Sequence, residues 1–147
     1  MRKLLVLVAT AVAMVVGPQS AWAVTGATNF STAGRGEPGY ATGTMTVDWK
    51  SDNQANVYGY LVDHCPANGL GVYLHVRLQN LQGAIYEFGT MSYTGGCSES
   101  GVSDLIWVIA GGHGRIAHVD GKMCEEDHNG SKPSICTGWQ AVDNPYT

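Results

Sequence analysis

Two histidines and a nearby carboxylate form the most metal-like group in this sequence. His113, His118 and Asp120 offer the imidazole and carboxylate ligands that zinc prefers. Two ligands share one face of a strand only at an even spacing, and the step from His113 to His118 is odd, so they would point opposite ways unless a turn intervenes. We therefore interpret them as exposed histidines of a glycine-rich hairpin and predict no metal site.

Two further segments carry residues that could take part in catalysis or calcium binding. The acidic run Glu125 to Asp127 lacks the alternating oxygens and the placed glycine of a calcium loop, so we interpret it as a solvated tip. GCSESG (96–101) has Ser100 where a nucleophile elbow needs its last glycine, and no strand-to-helix turn is predicted there. The sequence therefore predicts a protein that is not an enzyme and has no cofactor. A small hydrolase stays a minor alternative, because paired carboxylates meet in space and leave no sequence motif.

The segment 57–79 predicts a strand and a tight turn. Its second half alternates apolar and more polar residues, the pattern of a half-buried strand, and the apolar positions are Leu70, Val72, Leu74, Val76 and Leu78. Asn68-Gly69 precedes this strand and is a strong hairpin signal. A two-residue loop there would pair Tyr60 with Arg77. It would also pair Val62 with His75, and His64 with Tyr73.

Such a hairpin would place an aromatic and polar set of side chains on one outward face: Tyr58, Tyr60, Tyr73, His75 and Arg77. Tyrosine and arginine are enriched where proteins contact each other, since they combine a large contact area with hydrogen bonding. We predict that this face binds a partner. The alternative is that a second sheet or the N-terminal segment covers it.

The N-terminus carries the pattern of an export signal. Arg2 and Lys3 precede the apolar run Leu4 to Val16, and Ala21-Trp22-Ala23 supplies small residues for cleavage. The run is too short for a membrane anchor. We predict that residues 1–23 are a secretory signal peptide and that the protein is extracellular.

The charge of the exported chain argues against two classes of partner. Without Arg2 and Lys3, six basic residues remain against twelve acidic ones, a formal net charge of −6. Nucleic acids and anionic membranes both require basic patches. We predict no binding to either.

Residues 24–40 are small and polar and contain four glycines and one proline. Such a segment buries too little apolar surface to fold alone, so we predict a flexible N-terminal arm. A loose tail is one interpretation, and an arm that becomes ordered on a partner is the other. In the second case Phe30 and Tyr40 would be its anchors.

Residues 41–147 predict a single all-β domain. Short alternating segments are separated by Gly, Asn and Asp turns, and no window shows a helical period. This arrangement favours an antiparallel β-sandwich or a small barrel. Val102 to Ala110 is the most apolar stretch after the leader, and we predict that it forms a central strand.

Four cysteines in an exported domain predict two disulfides. Cys124 and Cys136 flank a short polar loop, so their local pairing is the first choice. That choice leaves Cys65 with Cys97, although three connectivities are possible.

The layout of residues 24–147 resembles small secreted actinobacterial β-domain proteins, a group that includes adaptor subunits of umbrella-shaped toxin particles. The resembling features are the Gly/Thr-rich start, VYGYLVDHC, GLGVYLHVRL, the Cys124–Cys136 loop and the terminal DNPYT. The resemblance implies a non-catalytic adaptor that joins other secreted proteins in a hetero-complex. Its N-terminal arm and one sheet face would each hold a different partner.

Two other classes of function remain open. A carbohydrate- or cell-wall-binding module would use an aromatic platform, for which Trp49, Trp107 and Trp139 are candidates, although the first two occupy core-like positions. A protease inhibitor would need a rigid exposed loop, and the segment between Cys124 and Cys136 is the candidate for it.

Overall fold

A computed structural model of the chain describes residues 24–34, 39–64, 66, 69–98, 100–127 and 134–147. Within these ranges the chain forms nine β-strands and no helix, arranged as two antiparallel sheets packed face to face. No helix in the described ranges is long and apolar enough to cross a membrane. The predicted all-β antiparallel sandwich is therefore confirmed, while the predicted leader, residues 1–23, lies outside the described residues.

The nine described strands are divided between two sheets, A and B. In chain order the strands are β1 Val24–Ser31, β2 Tyr40–Trp49, β3 Gln54–His64, β4 Gly71–Asn80, β5 Ile85–Tyr93, β6 Val102–Ala110, β7 Ile116–Glu126, β8 Ile135–Cys136 and β9 Gln140–Asp143. Sheet A has the order β1-β2-β3-β6. Sheet B has the order β5-β4-β7, and β8 and β9 both pair with the far edge of β7.

The predicted hairpin between β3 and β4 is wrong, because these strands lie in different sheets. β3 pairs with β2 and β6, whereas β4 pairs with β5 and β7. Gly69 has the positive φ of 77° that the turn prediction required, and Asn68 lies outside the described residues. The two strands instead stack across the interior, where their apolar faces meet in one core.

The core lies between the sheets and confirms the alternation seen in the sequence. In β4 the apolar positions Val72, Leu74, Val76 and Leu78 are buried. The alternate positions of β2 in sheet A are also buried: Met45, Val47 and Trp49. Each strand therefore contributes one side of its pleat to the interior and leaves the other side outside.

The flexible arm predicted for residues 24–40 is wrong for residues 24–31, which form β1. Every residue from Val24 to Ser31 pairs with β2, and residues 35–38 lie outside the described residues. Strand pairing uses backbone groups that every residue except proline possesses, so small polar side chains do not prevent it. One side chain of β1, Phe30, enters the core and approaches Gly121, where only a glycine leaves room for its ring.

β6 is an edge strand and not the central strand predicted from its apolar sequence. It pairs with β3 alone among the described strands. Ile109 is its one fully buried apolar residue, while Leu105 and Val108 are exposed. A high apolar content predicted a strand but did not identify which of its sides would be covered.

The two lateral sides of the sandwich are closed differently. On the β1 side, Thr28 Oγ1 donates to Gln140 Oε1 of β9 at 2.5 Å, and Gly26 allows Val142 to approach closely. On the β5 side, the rings of Phe88 and Trp107 stack with centroids 3.3 Å apart. The side chains of both pairs come from opposite sheets, so each pair joins the sheets at an edge.

A disulfide joins β7 to β8. Cys124 and Cys136 are directly opposed in the strand pairing, with Cα atoms 4.1 Å apart, and their bridge is the local one predicted. No described cysteine is free. The predicted Cys65–Cys97 bridge stays a prediction, because Cys65 lies outside the described residues.

A buried asparagine joins the sheets at one end of the sandwich. The Asn144 Nδ2 amide donates to the carbonyl oxygens of Asp52 at 3.2 Å and of Ile116 at 3.0 Å. Asp52 belongs to the turn between β2 and β3, and Ile116 begins β7. A single side chain therefore satisfies backbone acceptors of both sheets, which anchors the segment after β9.

We expect Leu74→Ala to lower the free energy of unfolding by about 2–5 kcal/mol, because it leaves a cavity in a packed core. Leu74 is 0% exposed, whereas Leu105, its matched control, is 44% exposed. Leu105→Ala should therefore cost far less. Urea unfolding of both variants measures the two values, and equal losses would contradict this assignment of inner and outer faces.

Candidate interaction surfaces

The structure divides the predicted partner-binding face between two opposite surfaces. Tyr58 and Tyr60 lie on the outer face of sheet A, where both are exposed. Tyr73, His75 and Arg77 occupy the outward positions of β4 in sheet B. Because β3 and β4 are in different sheets, the five side chains do not form the single surface that the hairpin predicted.

An apolar and aromatic patch occupies the outer face of sheet A. We call it the tyrosine face and define it as Tyr58, Tyr60, Leu105 and Val108, which are 39%, 43%, 44% and 51% exposed. Tyr58 lies opposite Leu105 in the strand pairing, and Val108 lies opposite Asn56. Paired side chains on one face of a sheet are close neighbours, so the four residues form one patch across β3 and β6.

A β-bulge in β6 explains why both of its apolar residues in this patch point outward. The pairing moves from Val57–Trp107 to Tyr58–Leu105, which leaves Ile106 without an opposite residue in β3. Ile106 and Trp107 pack against the core, while Leu105 and Val108 on either side of them are exposed. A bulge redirects side chains in this way, and strict alternation in the sequence cannot reveal it.

The tyrosine face continues into a row of small uncharged side chains. Thr44 lies opposite Tyr60, and Thr46 lies opposite Tyr58. Asn29 of β1 follows Thr44 and accepts a hydrogen bond from its hydroxyl at 2.8 Å. The centre of this outer face is therefore apolar and its β1–β2 side is polar, with one ion pair, Asp48 with Lys50 at 2.5 Å, beyond Thr46. An apolar centre beside a polar margin resembles the core and rim of a protein contact surface.

The outer face of sheet B is ionic instead. Arg77 Nε donates to Asp120 Oδ2 at 2.9 Å, and His118 Nε2 lies 3.6 Å from the other oxygen of that carboxylate. His75 Nε2 lies 3.2 Å from Glu126 Oε1. These groups come from the adjacent strands β4 and β7, so their spacing is fixed by backbone pairing.

A tryptophan covers part of this ionic face and forms a small cleft. The Arg77 guanidinium lies 4.0 Å from the centre of the Trp139 ring, and Lys122 Nζ lies 5.0 Å from it. Cations are attracted to the electron-rich face of an indole. The cleft has a volume of about 180 Å³. Its polar and aromatic lining is His75, Glu87, Phe88, Thr90, Lys122 and Trp139.

Trp139 was predicted as a candidate carbohydrate platform, whereas Lys122 and Glu87 beside it were not predicted. No local motif links these residues, because they come from β5, β7 and the segment before β9. Of the other two candidate platforms, Trp49 is fully buried. Trp107 is half-buried against Phe88. Trp139 is also half-buried, with Arg77 beside its ring, but it lines the cleft.

The two predicted anchors of the arm have different environments. Phe30 is buried in the core and is wrong as a partner anchor. Tyr40 is exposed at the start of β2 and stacks on His64, with ring centroids 4.4 Å apart and planes 17° apart. Its binding role stays a prediction, because an exposed stacked ring is consistent with a contact but does not identify one.

The candidate metal ligands do not assemble as a zinc site would require. His113 lies beside the rings of Tyr86 and Phe88, with centroids 4.7 Å and 5.2 Å away, while His118 contacts Asp120 on β7. Both histidines are half-buried, so their description as exposed was wrong. His75, Cys124 and Glu126 do place ligand-type atoms within 4.8 Å of one another, but the Cys124 sulfur is part of the disulfide and supplies no thiolate.

The acidic run is not a solvated tip, because Glu125 and Glu126 are the last residues of β7 and their side chains point to opposite faces. Glu125 is buried between the sheets and accepts a hydrogen bond from the Thr32 hydroxyl, while Glu126 is on the outer face with His75. Asp63 of β3 is buried at the same end of the sandwich. Burial and the nearby Glu125 carboxylate raise the pKa of Asp63, and His64 partly offsets this.

Comparison of the chain with protein-family models, with curated proteins and with solved structures gave no match. The fold and surfaces define the protein as a disulfide-bonded antiparallel β-sandwich with one apolar and one ionic outer face. The function of the protein must therefore be inferred from these two outer faces.

We expect Asp63→Asn to raise the free energy of unfolding at neutral pH. The raised pKa means that the folded state holds the proton more tightly than the unfolded state, so stability falls as the pH rises from about 4 through the raised pKa. Asparagine carries no charge, so the variant does not lose stability as the pH rises. Its advantage over the parent should therefore shrink as the pH is lowered towards about 4. Urea unfolding across this range measures the effect, with the exposed Asp143→Asn as control. A variant less stable than the parent at neutral pH would contradict the assignment.

Proposed function

We propose that this protein is a secreted, non-catalytic adaptor that joins other proteins in an extracellular complex, such as a toxin particle. The observation that carries the proposal is the tyrosine face. Four large apolar or aromatic side chains, each more than one third exposed, form one patch on the outer face of sheet A. Exposed patches of this kind mark sites of protein contact, since water is otherwise left against apolar surface.

The chemistry of the tyrosine face favours a protein as its occupant. Tyrosine is enriched at interfaces because its ring buries a large area while its hydroxyl remains able to form hydrogen bonds. The four side chains of the patch carry no charge, and the charges beside it, Asp48 and Lys50, are paired with each other at 2.5 Å. The uncharged threonines beside it provide the polar rim that such an interface requires.

The second outer face supports a joining role. The ionic face of sheet B lies on the opposite side of the sandwich, so a partner there does not compete for space with a partner on the tyrosine face. The two faces also differ in chemistry, which gives each a different partner preference. The adaptor therefore uses two sheet faces, rather than the arm and one face that the resemblance implied.

An extracellular location is supported by the disulfide. Disulfides persist in oxidising compartments and are rare in the cytosol, and Cys124–Cys136 closes a polar loop at the end of β7. The N-terminal leader pattern supports the same location. The negative net charge disfavours nucleic acid and anionic membrane as binding partners.

A double variant in the tyrosine face tests the adaptor proposal. We expect Tyr60→Ser with Val108→Lys to remove one partner from the complex purified from the culture medium of the producing cells. The lysine adds a charge that loses its hydration in the interface, and the serine removes most of the contact area. Both positions are exposed, so the variant should keep the parent's melting temperature.

The matched control is Lys122→Glu on the ionic face, which should remove a different partner and leave the first in place. Mass spectrometry of the co-purified proteins measures both outcomes. A complex that keeps its full composition in both variants would overturn the proposal. Hydrolase activity of the purified protein would do the same.

A second candidate function, saccharide binding, is favoured by the Trp139 cleft. The cleft combines an indole ring with hydroxyl, imidazole and charged groups in about 180 Å³. Small-ligand sites commonly combine an aromatic surface with a few polar groups that fix the ligand's orientation. The protease-inhibitor alternative gains no such support, because much of the loop between Cys124 and Cys136 lies outside the described residues.

Trp139→Ala tests the saccharide candidate on a glycan array. If the cleft binds a sugar, the parent should retain a defined group of glycans and the variant should lose them, because the ring supplies the main contact surface. Tyr60→Ala, on the opposite face, should bind as the parent does. Absence of glycan binding by the parent would eliminate this candidate and leave the adaptor proposal unchanged.

A further inference from the structure

β6 presents an edge that most proteins would protect. Among the described strands it pairs with β3 alone, so backbone N–H and C=O groups on its other side have no strand partner there. Proteins commonly protect such an edge by shortening it or by placing proline or lysine on it. β6 is nine residues long and contains neither, and Asp104 is its single charged residue.

Open space adjoins one half of this edge. A groove of about 280 Å³ lies between the edge strands β5 and β6. Residues of both strands line it, including Thr90, Met91, Ser92, Asp104, Leu105 and Ile106. The aromatic stack of Phe88 and Trp107 joins the same two strands further along and limits the groove to the half of β6 that begins at Val102.

The side chains of β6 specify what a neighbouring strand would need. Leu105 and Val108 point outward beside the tyrosines and would favour apolar neighbours. Asp104 lies opposite Gly59, on the side that faces the groove. It forms no ion pair with any described residue, since its carboxylate accepts only the neighbouring Leu105 N–H, at 2.8 Å.

We infer that β6 binds an extended strand of a partner protein, which carries apolar side chains on its outer face and a lysine or arginine opposite Asp104. The main-chain hydrogen bonds supply affinity, and the alternating side chains supply selectivity. The added strand would widen sheet A and extend the tyrosine face across the junction. This inference rests on the proposed function, because the strand and the tyrosine face would engage the same partner.

Charge favours a different protein over a second copy of this chain. β6 contains no basic residue, so pairing β6 with itself would bring two Asp104 carboxylates to one junction without a cation. The whole chain also carries a formal net charge of −4. Like charges brought together at an interface oppose association, whereas a basic strand would neutralise Asp104.

A pair of nine-residue peptides, used in place of the partner's strand, tests the inference. Both alternate valine and threonine, and they differ at one central position on the threonine side, which is lysine in the first and glutamate in the second. Hydrogen exchange should show that the lysine peptide protects amides of β6 and leaves those of the other edge strand, β1, unchanged. Fluorescence titration should show that it binds at least about tenfold more tightly than the glutamate peptide.

Variants of the protein assign the preference to Asp104. Asp104→Asn should reduce the ratio of the two affinities to about one, because the charge that discriminates between the peptides is gone. Asp143→Asn, exposed on β9, should leave the ratio unchanged. Both substitutions are at exposed positions, so folding should be preserved, and near-ultraviolet circular dichroism checks this.

Three results would overturn the inference: no added protection of β6, equal binding of the two peptides, or a dimer that protects β6 in the free protein. The last result would assign the edge to a second copy. The composition of complexes purified from the culture medium distinguishes the failure of this inference from the failure of the proposed function. If Asp104→Lys leaves the complex intact while the tyrosine-face variant disrupts it, the edge inference is wrong and the adaptor proposal stands.

Discussion

The structure depends on the constraint that β2, β3 and β4 each have one face of buried, mostly apolar side chains. A single sheet built from such strands would leave that face in water, so the chain must bury it against a second sheet. β3 and β4 meet this requirement by stacking across the core, with Leu61 and Leu74 both fully buried. The outward side chains consequently take no part in the packing of the core. Their chemistry is free to differ between the sheets, and it does.

Alternation in the sequence was sufficient to predict the fold class and the buried side of β2 and β4, because period-two patterning reports which side chains are covered. It could not predict which strands are neighbours. Gly69 has the backbone conformation of a tight turn, yet the chain crosses between sheets there, since turn chemistry is local and sheet assignment is not. Phe30 was misjudged for a related reason. Its neighbours are polar, but the backbone pairing of β1 with β2 and the Thr28–Gln140 hydrogen bond to β9 hold the strand in place and bring that ring inside.

The candidate surfaces were less predictable than the fold because they depend on irregularities. One extra residue, Ile106, separates two outward apolar side chains that strict alternation would place on opposite faces. The cleft at Trp139 combines residues from four separate parts of the chain: β4, β5, β7 and the segment before β9. Cysteine spacing was informative for Cys124 and Cys136, since a short polar loop restricts where its two ends can lie. Features determined by spacing within one segment are therefore visible in the sequence, whereas features assembled from several segments are not.

The Asn144 side chain has a consequence for how the protein reaches its folded state. Its amide joins the turn after β2 to the start of β7, yet it follows all nine described strands in the sequence. β9, just before it, completes one edge of sheet B. Contacts between residues so distant in sequence form late and slow folding, because long loops must close first. Closure of the sandwich at this end is therefore a late step of folding, because both sheets are joined there only after residue 144 reaches its place.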